Sequence, residues 1–285
     1  MRKYTGKYKL CSMLKIEAER ALRSRMLWAV LATGILITGT EFVMSPLKYS
    51  KDIIGGFDGS VNNVINTVFN SWFFSLDRNA VVLRQLYVMV MPLMAVFAYS
   101  GSAVSDIKSG YIKNIYTRTK KRNYLIAKCL VSHMAGGVAV VLPLLMNLAA
   151  CSMILPSVKM EAAAGCYEPR GFSMLSGVAY THPYVYIFTE LFIIFMYTGL
   201  FTTCSVMLAQ IIPVQFVALI APFLINYFCY VIQNFLGLAK YSPMRIMMVG
   251  YSYSNTVWSV FAEYILLWLV MYGIYMYRGK RNEVL

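Results

Sequence analysis

Charged side chains are scarce in this 285-residue chain, and acidic ones are scarcer than basic ones. Only 13% of the residues are charged, with 12 Asp and Glu against 26 Lys and Arg, whereas 59% are hydrophobic. A soluble domain carries about 25% charged residues, because its surface faces water. The composition therefore excludes an ordinary water-soluble domain and indicates lipid as the main solvent of the chain.

The chain also lacks the residue patterns that carry catalysis or metal binding. It contains no G-x-x-x-x-G-K-[ST] phosphate-binding loop, no G-x-S-x-G and no H-E-x-x-H. Its two histidines, His133 and His182, have no partner at metal-ligand spacing. The six cysteines fit no zinc pattern, and a disulfide between Cys151 and Cys166 stays open. We therefore expect no active site, no cofactor and no energy source on this chain.

Six apolar runs are long enough to cross a bilayer, since a membrane-spanning helix needs about 20 apolar residues. The first run has no short apolar core with an A-x-A site before it, so we expect an uncleaved anchor. The sequence predicts an all-α membrane protein, in which an N-terminal amphipathic interfacial helix (residues 1–25) precedes six transmembrane helices and a tail (278–285). Within the transmembrane domain 26–277, the predicted spans are residues 26–45, 81–104, 125–155, 184–209, 214–237 and 258–277.

Basic residues are distributed unevenly between the two sides of such a bundle. Eighteen Lys and Arg residues lie in the N-terminal segment, in the loop at 105–128 and in the tail, whereas seven lie in the loops of the opposite side. Because cytoplasmic loops are enriched in Lys and Arg, we expect both termini in the cytoplasm. Contacts with anionic headgroups account for the formal net charge of +14 without a nucleic-acid partner.

Residues 9–25 have the periodicity of an amphipathic helix, with the charges off its apolar face. That apolar stripe is formed by Leu10, Met13, Leu14, Ala18, Ala21 and Leu22. A helix of this kind can lie on the inner leaflet before the first span. The alternative is a positively charged segment that only fixes the orientation of that span.

A second amphipathic pattern follows the second span. One apolar-aromatic helix face, about three turns long, is formed by Ile107, Tyr111, Ile112, Ile115 and Tyr116. A basic run at 120–122 comes after it. A short helix with such a face can insert into a groove on a partner protein, and the alternative is a loop that lies on lipid headgroups.

This stretch resembles the first cytoplasmic loop of ABC-2 type transporter permeases. The residues that carry the resemblance are Asp106, Lys108, Ser109, Gly110, Ile112, Lys113, Asn114, Ile115, Arg122, Tyr124 and Lys128. Family members show an acidic residue, a glycine, a helix, and then an Arg and a Lys before the third span. One departure is Arg118-Thr119, where family members often carry Gly or Pro.

The resemblance implies that the loop at 105–124 contains a coupling helix, which docks on a separate ABC ATPase. The residues expected to carry this coupling are Asp106, Ile107, Gly110, Tyr111, Ile112, Ile115, Tyr116 and Arg122. The family works as two permease chains, identical or related, with two ATPase subunits that bind ATP and Mg²⁺. Spans two and five would line the pathway at the permease–permease interface, and this chain itself would not be an enzyme.

Charged residues within the spans are Glu41, Arg84, Glu190 and Glu263, all toward the outer ends. An ionised group at mid-bilayer costs at least about 2.5–3.5 kcal/mol, so such residues usually face protein or water. We expect them to converge near an outer gate, where Arg84 neutralises one glutamate and the remaining negative charge favours a cationic or amphipathic substrate. The alternative is four independent side chains that reach the headgroups. Polar residues inside the spans are expected to hydrogen-bond between helices, and they are Asn147, Asn226, Gln233 and Asn234.

The function expected from these patterns is that of the permease subunit of an ATP-driven ABC-2 type exporter, embedded among the lipids of a bacterial plasma membrane. The substrate would be amphipathic: an antimicrobial peptide, a drug or a lipid. One alternative is a carrier driven by an ion gradient, which predicts broken helices or mid-membrane ionisable groups. The position of the charged residues at the outer ends of the spans disfavours it. The other is a membrane scaffold or sensor subunit that transports nothing. The sequence does not distinguish a homodimer from a heterodimer of permeases.

Overall fold

The computed structural model describes residues 9–54, 67–73, 81–158, 173–250 and 255–281. Within these ranges the chain is helical and contains no β-strand, so the expected all-α membrane fold is confirmed. Its helices are α1 (Leu10–Leu22), α2 (Arg25–Met44), α3 (Pro46–Ile54), α4 (Val68–Ser71), α5 (Val81–Tyr99), α6 (Gly101–Lys108), α7 (Tyr111–Tyr116), α8 (Lys121–Ile154), α9 (Ser176–Thr181), α10 (Pro183–Ile211), α11 (Gln215–Phe235), α12 (Pro243–Ile246) and α13 (Val257–Arg281), with a 3₁₀ helix at Ala239–Tyr241.

Among the described residues, six helical segments are long and apolar enough to cross a membrane. Each agrees with one predicted run to within five residues at either end. In lipid the backbone has no water to bond with, so an apolar run of this length satisfies its N–H and C=O groups internally as a helix. The segments are Arg25–Ser50, Val81–Lys108, Lys121–Ile154, Pro183–Ile211, Gln215–Phe235 and Val257–Arg281.

The fourth span, α10, is the central helix of the bundle. Within its most apolar window, 72% of the residues are buried inside the chain, against 22% for α11 and 11% for α13. It packs on α5, α8, α11 and α13. The fifth and sixth spans therefore present most of their apolar surface to lipid or to another chain.

Glycines allow α5, α8 and α10 to approach closely. A Cβ at Gly136 of α8 would lie 2.2 Å from the Thr202 side chain and 3.0 Å from the Ala95 carbonyl oxygen. A Cβ at Gly199 of α10 would lie 2.3 Å from the imidazole of His133. Small residues at helix crossings are typical of membrane bundles, because packing replaces the hydrophobic effect as the attraction between helices.

The start of the bundle has a core of its own. It joins α1, the α6–α7 segment, the start of α8 and the last turns of α13, and we call this region the α1 end. Its most buried residues include Met13, Val104, Ile112, Tyr124 and Tyr275. The helix α8 has 34 residues, about 51 Å at 1.5 Å per residue, and a hydrocarbon core measures only about 30 Å. Its first turns can therefore take part in the α1 end beyond the hydrocarbon.

Candidate functional site

The segment after the second span forms two helices, not the single helix of about three turns that the pattern predicts. The helix α6 ends at Lys108, α7 begins at Tyr111, and Gly110 between them has a φ angle of +70°. This left-handed backbone ends a helix, and glycine adopts it without the steric cost that a Cβ imposes. The prediction of one continuous face is therefore wrong, and Ile107 belongs to the end of the second span.

Most apolar side chains of α7 turn toward the bundle. Ile112 is 2% exposed and lies in the core of the α1 end, where Tyr111, Ile115 and Tyr116 pack half-buried. Burial raises the pKa of Tyr116 to about 12. Arg122, on the first turn of α8, is exposed. A partner can therefore contact only the part of this face that the chain leaves open.

Asp106, expected to take part in coupling, is 2% exposed and lies inside the chain. Its carboxylate accepts hydrogen bonds from the Arg20 guanidinium at 2.5 and 3.2 Å, from the Lys128 ammonium at 2.7 Å and from the Tyr124 hydroxyl at 2.9 Å. Because these donors occupy the carboxylate, Asp106 joins α6 to α1 and α8. Any part that it takes in coupling is therefore indirect.

Glu17 is a second buried carboxylate at this end, and the sequence pattern does not identify it. It is fully buried and accepts hydrogen bonds from Arg20 at 2.7 Å, from the Tyr99 hydroxyl at 2.8 Å and from Lys128 at 3.1 Å. Three donors from three helices therefore hold one side chain of α1.

The predicted apolar stripe of α1 does not match the buried face of the helix, and the prediction is wrong in this respect. The buried row is Met13, Glu17 and Ala21, whereas Leu22 is 62% exposed. A charge can occupy the inward face because α8 supplies the buried cation Lys128 opposite it. The available signal was the spacing of four residues between Met13, Glu17 and Ala21, which puts all three on one row of a helix.

Glu17, Arg20, Asp106 and Lys128 form a closed cycle of alternating charge, which we call the ion-pair ring. Each acid contacts both bases, and each base contacts both acids. Burial lowers the pKa of Arg20, but the hydrogen bond to Asp106 and the charges of Glu17 and Asp106 outweigh burial and raise it above its ordinary value. The formal charges of the ring cancel, which is the condition under which charges are tolerated in a protein interior.

The exposed surface of the α1 end is strongly basic. Residues 9–25 and 105–128 contain three acidic residues, of which two are buried in the ion-pair ring and only Glu19 is exposed. The exposed basic residues of these segments are Lys9, Lys15, Arg23, Arg25, Lys108, Lys113, Arg118, Lys120 and Arg122. A surface of this kind attracts acidic proteins and anionic headgroups.

An open groove of about 430 Å³ lies between α1 and α7. Its lining residues are Met13, Ile16, Tyr111, Asn114, Ile115, Arg118 and Thr119. The Arg20 guanidinium lies over the Tyr111 ring, 4.4 Å from its centroid, in a cation–π contact. One wall of the groove is thus held by a member of the ion-pair ring. Apolar and aromatic side chains beside three polar residues, one of them basic, suit a short amphipathic segment.

At the opposite end of the bundle, Glu41 joins the first span to the third. Glu41 is fully buried and accepts a hydrogen bond from the Asn147 amide at 3.0 Å. The same amide donates to the Thr38 carbonyl at 2.9 Å, and the Asn147 oxygen accepts from the Phe73 backbone N–H at 3.3 Å. The prediction of hydrogen bonds between helices is confirmed for Asn147.

The polar residues of the fifth span differ from Asn147. Asn234 donates to the Tyr230 carbonyl of its own helix, and Gln233 donates to the Tyr241 carbonyl of the following 3₁₀ helix, so the prediction of bonds between spans is wrong for both. Asn226 is buried, and its bonding between spans stays a prediction.

The other charged residues of the spans lie on three further helices. Arg84 on α5 is 8% exposed, Glu190 on α10 is 1% exposed, and Glu263 on α13 is half-buried. Neither carboxylate oxygen of Glu190 accepts a well-aligned hydrogen bond from the described residues, and the Tyr186 hydroxyl lies beside it one turn earlier. The convergence of these residues with Glu41 on an outer gate stays a prediction.

A polar contact that the sequence does not reveal lies within the spans. His133 of α8 has its Nδ1 3.3 Å from the Thr203 hydroxyl of α10, and its Nε2 3.3 Å from the Tyr264 hydroxyl of α13.

In the part of the chain that the structure describes, no group of three or more His, Cys, Asp or Glu side chains could hold a metal ion. Cys151 is a buried free thiol, and Cys166 lies outside the described residues.

Comparison of the chain with models of protein families, with curated proteins and with solved structures gives no match. Function is therefore inferred from the geometry of the α1 end and from the sequence resemblance of the loop at 105–128.

Proposed function

We propose that this chain is the permease subunit of an ABC-2 type exporter, in which ATP hydrolysis on a separate subunit drives an amphipathic substrate across the membrane. The groove between α1 and α7 is the observation that carries the proposal. It places an apolar-aromatic surface beside the ends of the second and third spans. A transporter chain without a phosphate-binding loop needs such a surface to receive the work of an ATPase.

In this proposal the α1 end faces the cytoplasm, where ATP and the ATPase are. The exposed Lys and Arg residues of this end support that orientation, since cytoplasmic loops are rich in both. They also favour the anionic inner leaflet of a bacterial plasma membrane. Tyr111 and Ile115 line the groove and would contact the ATPase, whereas Ile112 holds α7 on the bundle.

A second permease chain completes the pathway, and each permease binds one ATPase subunit. The largely unburied surfaces of α11 and α13 leave room for such a contact. By the resemblance stated above, the second and fifth spans line the path between the two chains. The substrate class, amphipathic peptides, drugs or lipids, follows from the same resemblance.

Co-purification tests the docking surface. In membranes of the native host, the double variant Tyr111→Ala/Ile115→Ala should reduce the recovered ATPase about tenfold or more, because truncated anchors in a buried contact typically cost over 1 kcal/mol each. Tyr277→Ala is the matched control, since Tyr277 is an exposed tyrosine near the end of α13 and does not line the groove. Unchanged ATPase recovery in the double variant would contradict the docking role.

Cysteine labelling tests the orientation, because Cys11 is exposed on α1. In a variant that keeps Cys11 as its sole cysteine, a membrane-impermeant maleimide should label inside-out vesicles and leave intact cells unlabelled. Labelling of intact cells would place the α1 end outside, and the proposal would fail. In the reconstituted assembly, amphipathic cations or peptides from a panel should stimulate ATP hydrolysis.

A carrier driven by an ion gradient is the second candidate, and Glu190 is the observation that favours it. A buried carboxylate within a span is the kind of group that binds a proton during transport. Proteoliposomes separate the candidates: uptake driven by ATP supports the exporter, and uptake driven by a pH gradient without ATP supports the carrier. A scaffold subunit would transport under neither condition.

A further inference from the structure

The ion-pair ring joins three helices that are distant in the chain. Glu17 and Arg20 belong to α1, Asp106 ends the second span within α6, and Lys128 lies on α8. The side chains of Glu17, Asp106 and Lys128 are at most 3% exposed, so water cannot replace a lost partner. Separation of any one helix from the other two would leave a buried charge with incomplete compensation.

The ring is also connected to the groove. Arg20 bonds Glu17 and Asp106 on one side and lies over the Tyr111 ring on the other. The ion-pair ring also contacts Tyr99 of α5. The Lys128 ammonium lies 4.7 Å from the centroid of the Tyr99 aromatic ring, and the Tyr99 hydroxyl donates a hydrogen bond to Glu17. A segment bound in the groove would contact Tyr111. The Arg20 guanidinium that packs on Tyr111 also binds Asp106 at the end of the second span.

We propose that the ion-pair ring positions the groove and transmits its displacement to the second and third spans. The inference rests on the proposed function and adds to it four positioning residues, Glu17, Arg20, Asp106 and Lys128. The ring is neutral as a whole, but each member is charged, so separation of one helix would leave a buried charge without full compensation. The helices α1 and α6 and the start of α8 therefore move as one body. Motion imposed at the groove therefore reaches the spans instead of being absorbed at the α1–α8 contact.

The double variant Glu17→Gln/Lys128→Met tests this role. It removes one negative and one positive charge, leaves the Arg20–Asp106 pair and keeps the ring neutral. Neither Glu17 nor Lys128 lines the groove, and the variant keeps Arg20, the ring member that contacts the groove wall at Tyr111. In the reconstituted assembly we therefore expect the ATPase to stay bound and ATP hydrolysis to stay within about twofold of wild type. The amount of substrate moved per ATP hydrolysed should fall at least about fivefold, the lower end of typical coupling between sites. A purely structural ring would leave that ratio unchanged.

Arg20→Lys is the second variant, and it keeps every charge. Lysine lacks the planar fork that binds a carboxylate through two nitrogens and stacks on an aromatic ring. We expect the same fall in substrate moved per ATP, whereas Arg23→Gln, on the turn directly after α1 and outside the ring, should not change the ratio. A wild-type ratio in the double variant overturns the inference. If the double variant does not fold, a wild-type ratio in Arg20→Lys overturns it. Failure of the proposed function would instead be visible in the wild type, as absence of a bound ATPase.

Discussion

Removal of one acid and one base of the ion-pair ring together should cost little stability, whereas removal of a single charge should cost much more. Glu17→Gln keeps the side-chain shape and leaves Lys128, which is 1% exposed, with Asp106 as its remaining ionic partner in the ring. Glu17→Gln/Lys128→Met removes one charge of each sign. Glu17→Gln/Asp106→Asn removes both acids and leaves two cations at the site.

The expected magnitude follows from the distances in the ring. The Lys128 ammonium and a Glu17 oxygen are 3.1 Å apart. Two unit charges about 4 Å apart attract by about 4 kcal/mol at an effective dielectric constant near 20. Removal of one partner from a buried pair typically costs about 3–5 kcal/mol, whereas replacement of both partners by neutral groups is close to neutral. We expect about 3–5 kcal/mol for Glu17→Gln, about 1 kcal/mol or less for the balanced double variant, and at least the single-variant cost for the variant without acids.

Hydrogen exchange of the backbone amides of α1 measures this effect locally. The ring holds α1 on α8, so its loss should open α1 before the spans unfold. A cost of 3–5 kcal/mol corresponds to exchange that is at least about 100-fold faster, since about 1.4 kcal/mol is a factor of ten. Arg23→Gln, exposed on the turn after α1, should leave the exchange unchanged.

The comparison between the single and the balanced variant decides the outcome. If Glu17→Gln and Glu17→Gln/Lys128→Met exchange at equal rates, a buried Lys128 that has lost one of its two ionic partners carries no cost. Packing of Met13 and Ala21 would then hold α1, and the electrostatic reasoning would be refuted.

Substitutions at three further positions, Gly136, Gly110 and Asn147, test other parts of the structure. Gly136→Ala should lower the stability by about 1–3 kcal/mol, because its Cβ would overlap Thr202 and crowd the Ala95 carbonyl. The matched control Gly39→Ala has open space around its Cβ within α2, so it should melt at or above the wild-type temperature, and equal melting temperatures for both variants would contradict the packing. Gly110→Ala should cost about 1–2 kcal/mol in the α6–α7 turn and reduce ATPase recovery at least about fivefold, and full recovery would show that the left-handed turn is not required. Asn147→Ala should cost about 1–3 kcal/mol through lost hydrogen bonds to Glu41 and Thr38. Asn147→Asp should also be less stable, because a carboxyl group lacks the two N–H donors that serve both oxygens, and an Asp variant as stable as wild type would contradict this contact.

The candidate site could be predicted in part. The four-residue spacing of Tyr111 and Ile115 indicated an amphipathic segment after the second span, and both residues line the groove. The break at Gly110 was missed because apolar periodicity continues across it, while the backbone does not. Glu17 was missed because a carboxylate on an inward face is stable only opposite a buried cation, and the sequence of α1 does not contain that cation on the same face.

The sequence by itself determined that the chain has six apolar helices, because lipid offers no hydrogen-bond partner and a long apolar run must satisfy its own backbone. It did not determine which of these helices is central, since α10, α11 and α13 are all apolar enough to face lipid. The tertiary structure also decided which charges pair. Lys128 meets Glu17 from 111 residues away, and Coulomb attraction depends on distance in space, which local sequence patterns do not contain.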